Sequence, residues 1–406
     1  MALVRRHLND GALALAALLL SLRAALSAAS LGDYPGDAGP PIGDLVHGNL
    51  HAFALARPAM GDLSLLVRLP FAGLASLAHA GELTSYRWGA VPCVLSVAAL
   101  ALWLARIAAR RGAGLVAQWA IVLLALLNPL VSSALDLGHP EELLTASLCV
   151  GALVAAIERK ALLSTVLLGL ALACKQWSVV AVLPVLFALD GARLKALLGA
   201  LATALLVTLP AIAGAPSSFL HNQLDLAQSL HRSPTIWSWL WPPAPDSTRH
   251  VLVEGNSVAV SGHRLPAGLA RAVHPLLIAV DLLVAAVVAC VRRLPLRRDD
   301  AFALMALVLL LRCTLDTETM PYYLAGLLLD LLAWDALRGE RLPVRALAGA
   351  AVAYVLCDRV WALSPSVCSF LYGACTLIAA LLFAGVLAGR RARRPRPVGL
   401  RLRPTA

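Results

Sequence analysis

Charge is scarce in this chain. Asp, Glu, Lys and Arg together supply 14% of its 406 residues, while apolar residues supply 60%. A soluble domain carries about 25% charged and about 45–50% apolar residues. The composition therefore excludes a soluble globular protein and implies a polytopic membrane protein. No Walker loop, GxSxG, HExxH or dinucleotide fingerprint occurs, so no motif supports a nucleotide site, a serine nucleophile elbow or a zinc protease. The eight Cys contain no CxxC pair, and a thiolate metal site has no support. Five of them sit in apolar stretches, where Cys packs as a small hydrophobe. Cys313, Cys357 and Cys368 lie near predicted outer ends, where one bridge is feasible. No internal repeat is evident, which argues against a transporter built from inverted halves.

What the chain does contain is a series of apolar runs. At about 20 residues per span, roughly twelve spans and two sizeable loops fill its length. The expectation is an all-α fold in a single transmembrane domain over 1–389. Its spans lie near 11–29, 88–106, 114–131, 142–157, 161–174, 177–190, 194–213, 271–290, 300–312, 321–335, 344–358 and 366–389. A start in the cytoplasm places 23 of the 34 Lys+Arg in inner loops, and this positive-inside bias sets orientation. The same assignment puts nine of ten His and 14 of 23 Asp+Glu outside, so the outer face is where the chemistry is expected. A plasma-membrane, multi-pass protein with both termini cytoplasmic follows. The net charge of +11 is explained by inner loops and a basic, disordered tail (390–406) on an anionic leaflet. Membrane lipids are the implied partner, and nucleic acid is not. Gly11 to Ala29 reads as a retained first span rather than a cleaved signal, although Ser27-Ala28-Ala29-Ser30 resembles a cleavage site.

Two outer loops are long, about 30–87 and 214–270. In the first, Ser64 to His79 is apolar but carries Arg68, Pro70 and His79, and reads as a helix lying in the membrane plane. In the second, Phe219 to Leu230 suits an amphipathic helix. Trp237, Trp239 and Trp241 suit an interfacial anchor.

Three groups of residues carry chemistry. Asp33 and Asp37 open the first outer loop within a Gly/Pro-rich turn at headgroup level, where a carboxylate can act as general base on a sugar hydroxyl. The same residues also suit a plain turn and helix cap. Asp136-Leu137-Gly138-His139-Pro140-Glu141-Glu142 packs polar and turn-forming residues into one short outer connection. His139 with Glu141 can position a hydroxyl, a phosphate or a metal. Alternatively Pro140 and the glutamates mark a helix start. Lys175 interrupts nearly thirty apolar residues, at a cost of about 2.5–3.5 kcal/mol on insertion scales. A lipid phosphate is its natural partner, with Gln176 and Trp177 adding a donor and a stacking face, although a lysine at a hairpin tip can also snorkel. Arg68 and Arg312 are weaker phosphate candidates, Arg312 standing beside Asp316 and Glu318. His221, His231, His250 and His263 show no ligand spacing, and Asp281 and Asp330 lie within spans. No cofactor is implied, and a divalent cation remains open.

The acidic first outer loop, the turn around His139 and the segment Gly169-Leu170-Ala171-Leu172-Ala173-Cys174-Lys175-Gln176-Trp177 together resemble the GT-C superfamily of integral-membrane glycosyltransferases. Within it, the resemblance points to bacterial polyprenyl-phosphate-mannose-dependent mannosyltransferases. It implies an inverting hexosyltransferase with a polyprenyl-phosphate sugar donor and an envelope glycan or glycolipid acceptor on the outer face. Asp33 or Asp37 would be the catalytic base. Lys175 and Arg68 would contact phosphate, and Gln176, Trp177, His139 and Glu141 would shape the substrate site. The family's Asp-x-x-x-Tyr spacing is absent, because Tyr34 follows Asp33 directly. A transporter or flippase for a polyprenyl-linked sugar is the rival reading, and a non-catalytic assembly protein the third.

Overall fold

Without water to satisfy them, backbone N–H and C=O groups in a bilayer pair within their own segment, so apolar runs fold as helices. The computed structural model describes residues 2–55, 60–217, 230–231, 236–240, 249–253, 256–260, 263–264, 266–316, 320–360 and 365–389. Eleven helices precede the second long loop: α1 (Ala2–Leu26), α2 (Gly39–Val46), α3 (Leu50–Leu55), α4 (Asp62–Leu77), α5 (Glu82–Arg110), α6 (Leu115–Leu126), α7 (Pro129–Asp136), α8 (Pro140–Ile157), α9 (Ala161–Cys174), α10 (Val182–Ala188) and α11 (Arg193–Gly214). After it come α12 (Ala267–Val291), α13 (Arg298–Leu315), α14 (Ala325–Arg338), α15 (Val344–Tyr354) and α16 (Pro365–Gly389). Short 3₁₀ segments, Gln176–Ala181 and Pro321–Leu324, lead into α10 and α14. Within the second loop, Arg249–Val253 pairs antiparallel with Asn256–Val260.

Among the described residues, seven helices are long and apolar enough to cross a membrane by length and composition. The chain is therefore a helical, multi-pass membrane protein. The expectation of about twelve spans runs beyond that number because several predicted spans fold as shorter pieces, such as α9 and α14 of 14 residues each. Their breaks have local causes. At Asn128 the side chain accepts from the N–H groups of Leu130 (3.0 Å) and Val131 (3.3 Å), capping α7 as Pro129 ends α6. At Lys175 the backbone is extended, at φ −149° and ψ 138°.

Helix α8 is the centre of the fold. Its apolar window is 94% buried inside the protein, against 17% for α11 and 28% for α12 and α16. It packs on α5, α9 and α14. At one end of the bundle, ion pairs tie helix ends together: Arg110 and Arg111 to Glu158 (2.9 and 3.1 Å), and Arg338 to Asp299 (3.1 Å). The other end holds the residues singled out above.

All eight cysteines are free thiols, so no bridge joins Cys313, Cys357 and Cys368. In the Trp-rich tract, Trp237 is buried and its indole N–H donates to the carbonyl of Leu315 at 2.8 Å, while Trp239 is exposed, with its ring tilted against Phe370 at a centroid distance of 5.3 Å. Trp241, the predicted helix from Phe219, the side chains of His221, His231, His250 and His263, Glu318 and the basic tail over 390–406 lie outside the described residues.

Candidate functional site

The site is assembled by two backbone joints. The turn after α1 lies on the turn between α7 and α8. The Asp33 N–H donates to the Leu137 carbonyl at 3.1 Å, the Ala29 N–H donates to Asp136 Oδ1 at 2.6 Å, and Ser30 donates to the Asp136 carbonyl. Contact this close needs glycine. At Gly138, with φ +88°, a Cβ would stand 2.6 Å from the Leu31 carbonyl and 2.8 Å from the Asp33 nitrogen. Arg87 clasps the same segment, donating to the Ala28 carbonyl at 3.0 and 2.8 Å. The second joint sets the start of α4 on the Lys175 break: the Gly61 N–H donates to the Cys174 carbonyl at 2.8 Å, and a Cβ on Gly61 would collide with the carbonyl of Ala173.

These joints bring residues from distant parts of the chain around the first turn of α8. His139 bridges two carboxylates, with Nε2 3.2 Å from Asp33 and Nδ1 3.0 Å from Glu141. Asp33 is 70% exposed and Glu141 is fully buried, so the imidazole links the surface to the interior. Lys175 lies between the glutamates, 3.3 Å from Glu141 and 3.5 Å from Glu142. Arg68 is 3.5 Å from the second oxygen of Glu141 and lies over the rings of Tyr34 and Tyr86, 5.2 and 5.9 Å from their centroids. Arg312 reaches Glu142 at 3.3 Å and is sandwiched between Trp177 and Tyr323, 4.1 and 3.9 Å from their centroids. Tyr322 stacks against His139 at 5.2 Å.

Opposite charge sets the protonation states. Burial lowers the pKa of His139, but the hydrogen bonds it donates to Asp33 and Glu141 more than offset it and push it up to about 9. Burial likewise opposes the charged form of Lys175, yet Glu141 and Glu142 outweigh it and raise its pKa. The core of the site thus sets four cations, Arg68, Lys175, Arg312 and protonated His139, against two buried carboxylates. Burial raises the pKa of half-buried Asp37, while the charges of His139 and Lys175 oppose that rise. Several buried polar atoms make no hydrogen bond among the described residues: the three guanidinium nitrogens of Arg68, Glu141 Oε2 at 3.5 Å from one of them, Nε of Arg312 and the indole nitrogen of Trp177. A buried donor in this state costs free energy unless something accepts from it. An anion is the complement to this arrangement.

The structure therefore gathers Asp33, Asp37, His139, Glu141, Lys175, Trp177 and Arg68 into one region. Gln176 opens the adjacent 3₁₀ segment and is half-buried. Arg68 is fully buried beneath Tyr34 and pairs with Glu141 rather than standing at the surface. Arg312 forms an ion pair with Glu142, 170 residues away in the chain, and Asp316, whose charge also acts on Arg312, pairs with His274 at 3.2 Å. Glu142, Tyr322 and Tyr323 complete the site without having been singled out individually. Their only local signals were the doubled glutamate and the Tyr pair after Met320-Pro321. Asp33 and Glu141 approach His139 from opposite ring nitrogens. Among the described residues no three His, Cys, Asp or Glu converge as metal ligands.

No curated protein matches the chain. The model of glycosyltransferase family 87 matches residues 63–315, more than half of its length. The match includes Arg68, His139, Glu141, Lys175, Gln176, Trp177 and Arg312, while Asp33 and Asp37 precede it. With the helical architecture, these findings show that the chain belongs to glycosyltransferase family 87, a GT-C-type family of membrane glycosyltransferases, and is a glycosyltransferase.

Proposed function

We propose that the protein transfers a hexose, with mannose the first candidate, from a polyprenyl-phosphate donor to an envelope glycan or glycolipid, with inversion at the anomeric carbon. One observation carries this reading: four cations face two buried carboxylates, one turn away from an exposed aspartate. A polyprenyl-phosphate sugar is a phosphodiester with one negative charge. As the acceptor oxygen bonds to the anomeric carbon, the sugar–phosphate bond breaks and the lipid phosphate leaves with the electron pair and a second negative charge. Donors already fixed where that charge develops favour the transition state over the ground state. Lys175 and Arg312 suit that role, and the indole N–H of Trp177 can serve the sugar or phosphate. Asp33 or Asp37 takes the proton of the attacking hydroxyl. The raised pKa of Asp37 favours it as a base, whereas the contact of Asp33 with His139 favours Asp33 as a positioned one. Arg68 acts through Glu141, holding the carboxylate that orients His139 and Lys175.

The topology belongs to the same proposal. The α6–α7 and 3₁₀–α10 pairs count as single spans, as do the short α9, α13, α14 and α15, which gives twelve crossings with α4 lying in the membrane plane. The ion-paired end then faces the cytoplasm of a plasma-membrane protein, and the site faces outward.

The test is transfer of radiolabelled mannose from polyprenyl-phosphate-mannose to membrane glycolipids. Wild-type membranes should transfer label, and Lys175→Ala and one of Asp33→Asn or Asp37→Asn should abolish it. Full transfer by the double aspartate variant would overturn the assignment of the base. No transfer from any polyprenyl-phosphate sugar by correctly inserted protein would overturn the donor and favour a flippase.

A further inference from the structure

Beside the charged cluster, and separate from it, is a concavity. It occupies about 170 Å³ between α2, α4 and the start of α5, and is lined by Tyr34, Gly43, His47, Ser76, Glu82 and Ser85 among others. Because a water needs about 10–15 Å³ by the same kind of measure, the space exceeds what one or two waters fill. Ile42, Val46 and Ala72 give it apolar walls. Tyr34 is common to both sites: it lines the cleft, and the guanidinium of Arg68 lies 5.2 Å from its ring centroid. Tyr34 and Gly39 bracket Asp37 in sequence, so the turn that carries both candidate bases also forms one side of the cleft.

We infer that this cleft is the acceptor subsite, and that it takes an uncharged, hydroxyl-bearing sugar ring. The inference rests on the transfer reaction proposed above. Its lining decides the class of ligand. Among the described residues the one Asp, Glu, Lys or Arg that lines the cleft is an acid, Glu82, which repels a phosphate and accepts from neighbouring hydroxyls. Ser76 and Ser85 add hydroxyls that donate or accept. The Nδ1 of His47 lies 2.7 Å from the Gly43 carbonyl, so in the neutral ring Nδ1 carries the proton and Nε2 is left as an acceptor. Apolar walls with a few polar groups are the usual make-up of a small-molecule site. The charged cluster and the cleft thus divide the substrates by charge, the anionic donor beside Lys175 and the neutral acceptor beside Glu82, with Asp33 and Asp37 on the turn that adjoins both.

Gly43 provides the test. A Cβ there meets no heavy atom within 4 Å, so a larger side chain projects into open space, and replacing glycine inside a helix favours the helix. Full-length wild type, Gly43→Leu, Gly43→Ala, Glu82→Gln and Ser85→Ala would be compared in membranes. Labelled polyprenyl-phosphate-mannose would be the donor, and a titrated glycolipid extract of the source membranes the acceptor. Gly43→Leu should raise the acceptor concentration for half-maximal transfer about tenfold or more. Glu82→Gln should raise it severalfold, and Gly43→Ala only slightly. The donor concentration for half-maximal transfer, and release of free mannose without acceptor, should stay at wild-type values. Unchanged acceptor dependence in Gly43→Leu and Glu82→Gln, with transfer intact, would overturn the subsite and leave the transferase reading standing. Loss of donor use in the same variants would also overturn it, by moving the cleft to the donor.

Discussion

Glu141 and Glu142 are neighbours in sequence, and share Lys175 while otherwise serving different partners. Glu141 holds His139, Lys175 and Arg68, while Glu142 holds Lys175 and Arg312. The dense turn was legible as a place for chemistry because a histidine there has no capping role. The cations that answer it were less legible. Lys175 stood out because it interrupts an apolar run, whereas Arg68 and Arg312 sit near apolar edges where arginine often anchors at an interface. Only the fold brings them inward. His139 yields a prediction at this scale. Its pKa of about 9 lies above the ordinary 6.5, so its protonated form stabilises the folded state. That contribution is complete below about pH 6.5 and is lost as pH rises towards and through about 9. The melting temperature of the purified protein should therefore fall across that window. His139→Gln should lose the part of the decline due to this residue, which thermal unfolding at a series of pH values would measure.

At the scale of elements, the apolar runs were readable because a bilayer accepts few alternatives to helix. Their interruptions were only partly readable. The extended residue at Lys175 matched the expected hairpin tip, but the following 3₁₀ segment was not visible in composition. The seating of the first outer turn on the α7–α8 turn was invisible too, because the Asp33–Leu137 bond is backbone to backbone, and Ser30, Arg87 and Asp136 reinforce it through main-chain partners that no spacing in the sequence announces. That joint is open to test. Gly138→Ala puts a methyl against the Leu31 carbonyl and forces the two turns apart, displacing Asp33 from His139. A shift of about 1 Å at a reacting group costs about a hundredfold. Mannose transfer per unit of folded protein should fall by that order, while α8, buried elsewhere along its length, keeps the protein assembled.

At the scale of the whole molecule, hydropathy and charge distribution speak to different features. Counting apolar runs predicted about twelve spans, whereas among the described residues length and composition qualify seven helices, because apolar segments such as α9 are shorter than a full crossing. Sorting charge by loop separated two ends of the bundle that differ in the structure, one knitted by surface ion pairs and one holding the buried cluster. The proposed orientation predicts that cysteines introduced at His79 and Lys195, both exposed, differ in access. In intact cells a membrane-impermeant maleimide should label His79→Cys and not Lys195→Cys, judged against the background of the native thiols. Equal labelling before and after lysis, or the reverse pattern, would count against the orientation.

The two backbone joints bear on how this protein would look in a genetic screen. Selection for loss of sugar transfer would recover Gly61 and Gly138 alongside the aspartates and Lys175, since each glycine fixes the spacing on which those residues depend. A map of intolerant positions would then read as a large catalytic surface. Measuring the abundance of inserted protein for each hit would divide the positions that touch substrate from those that only hold two turns of main chain together.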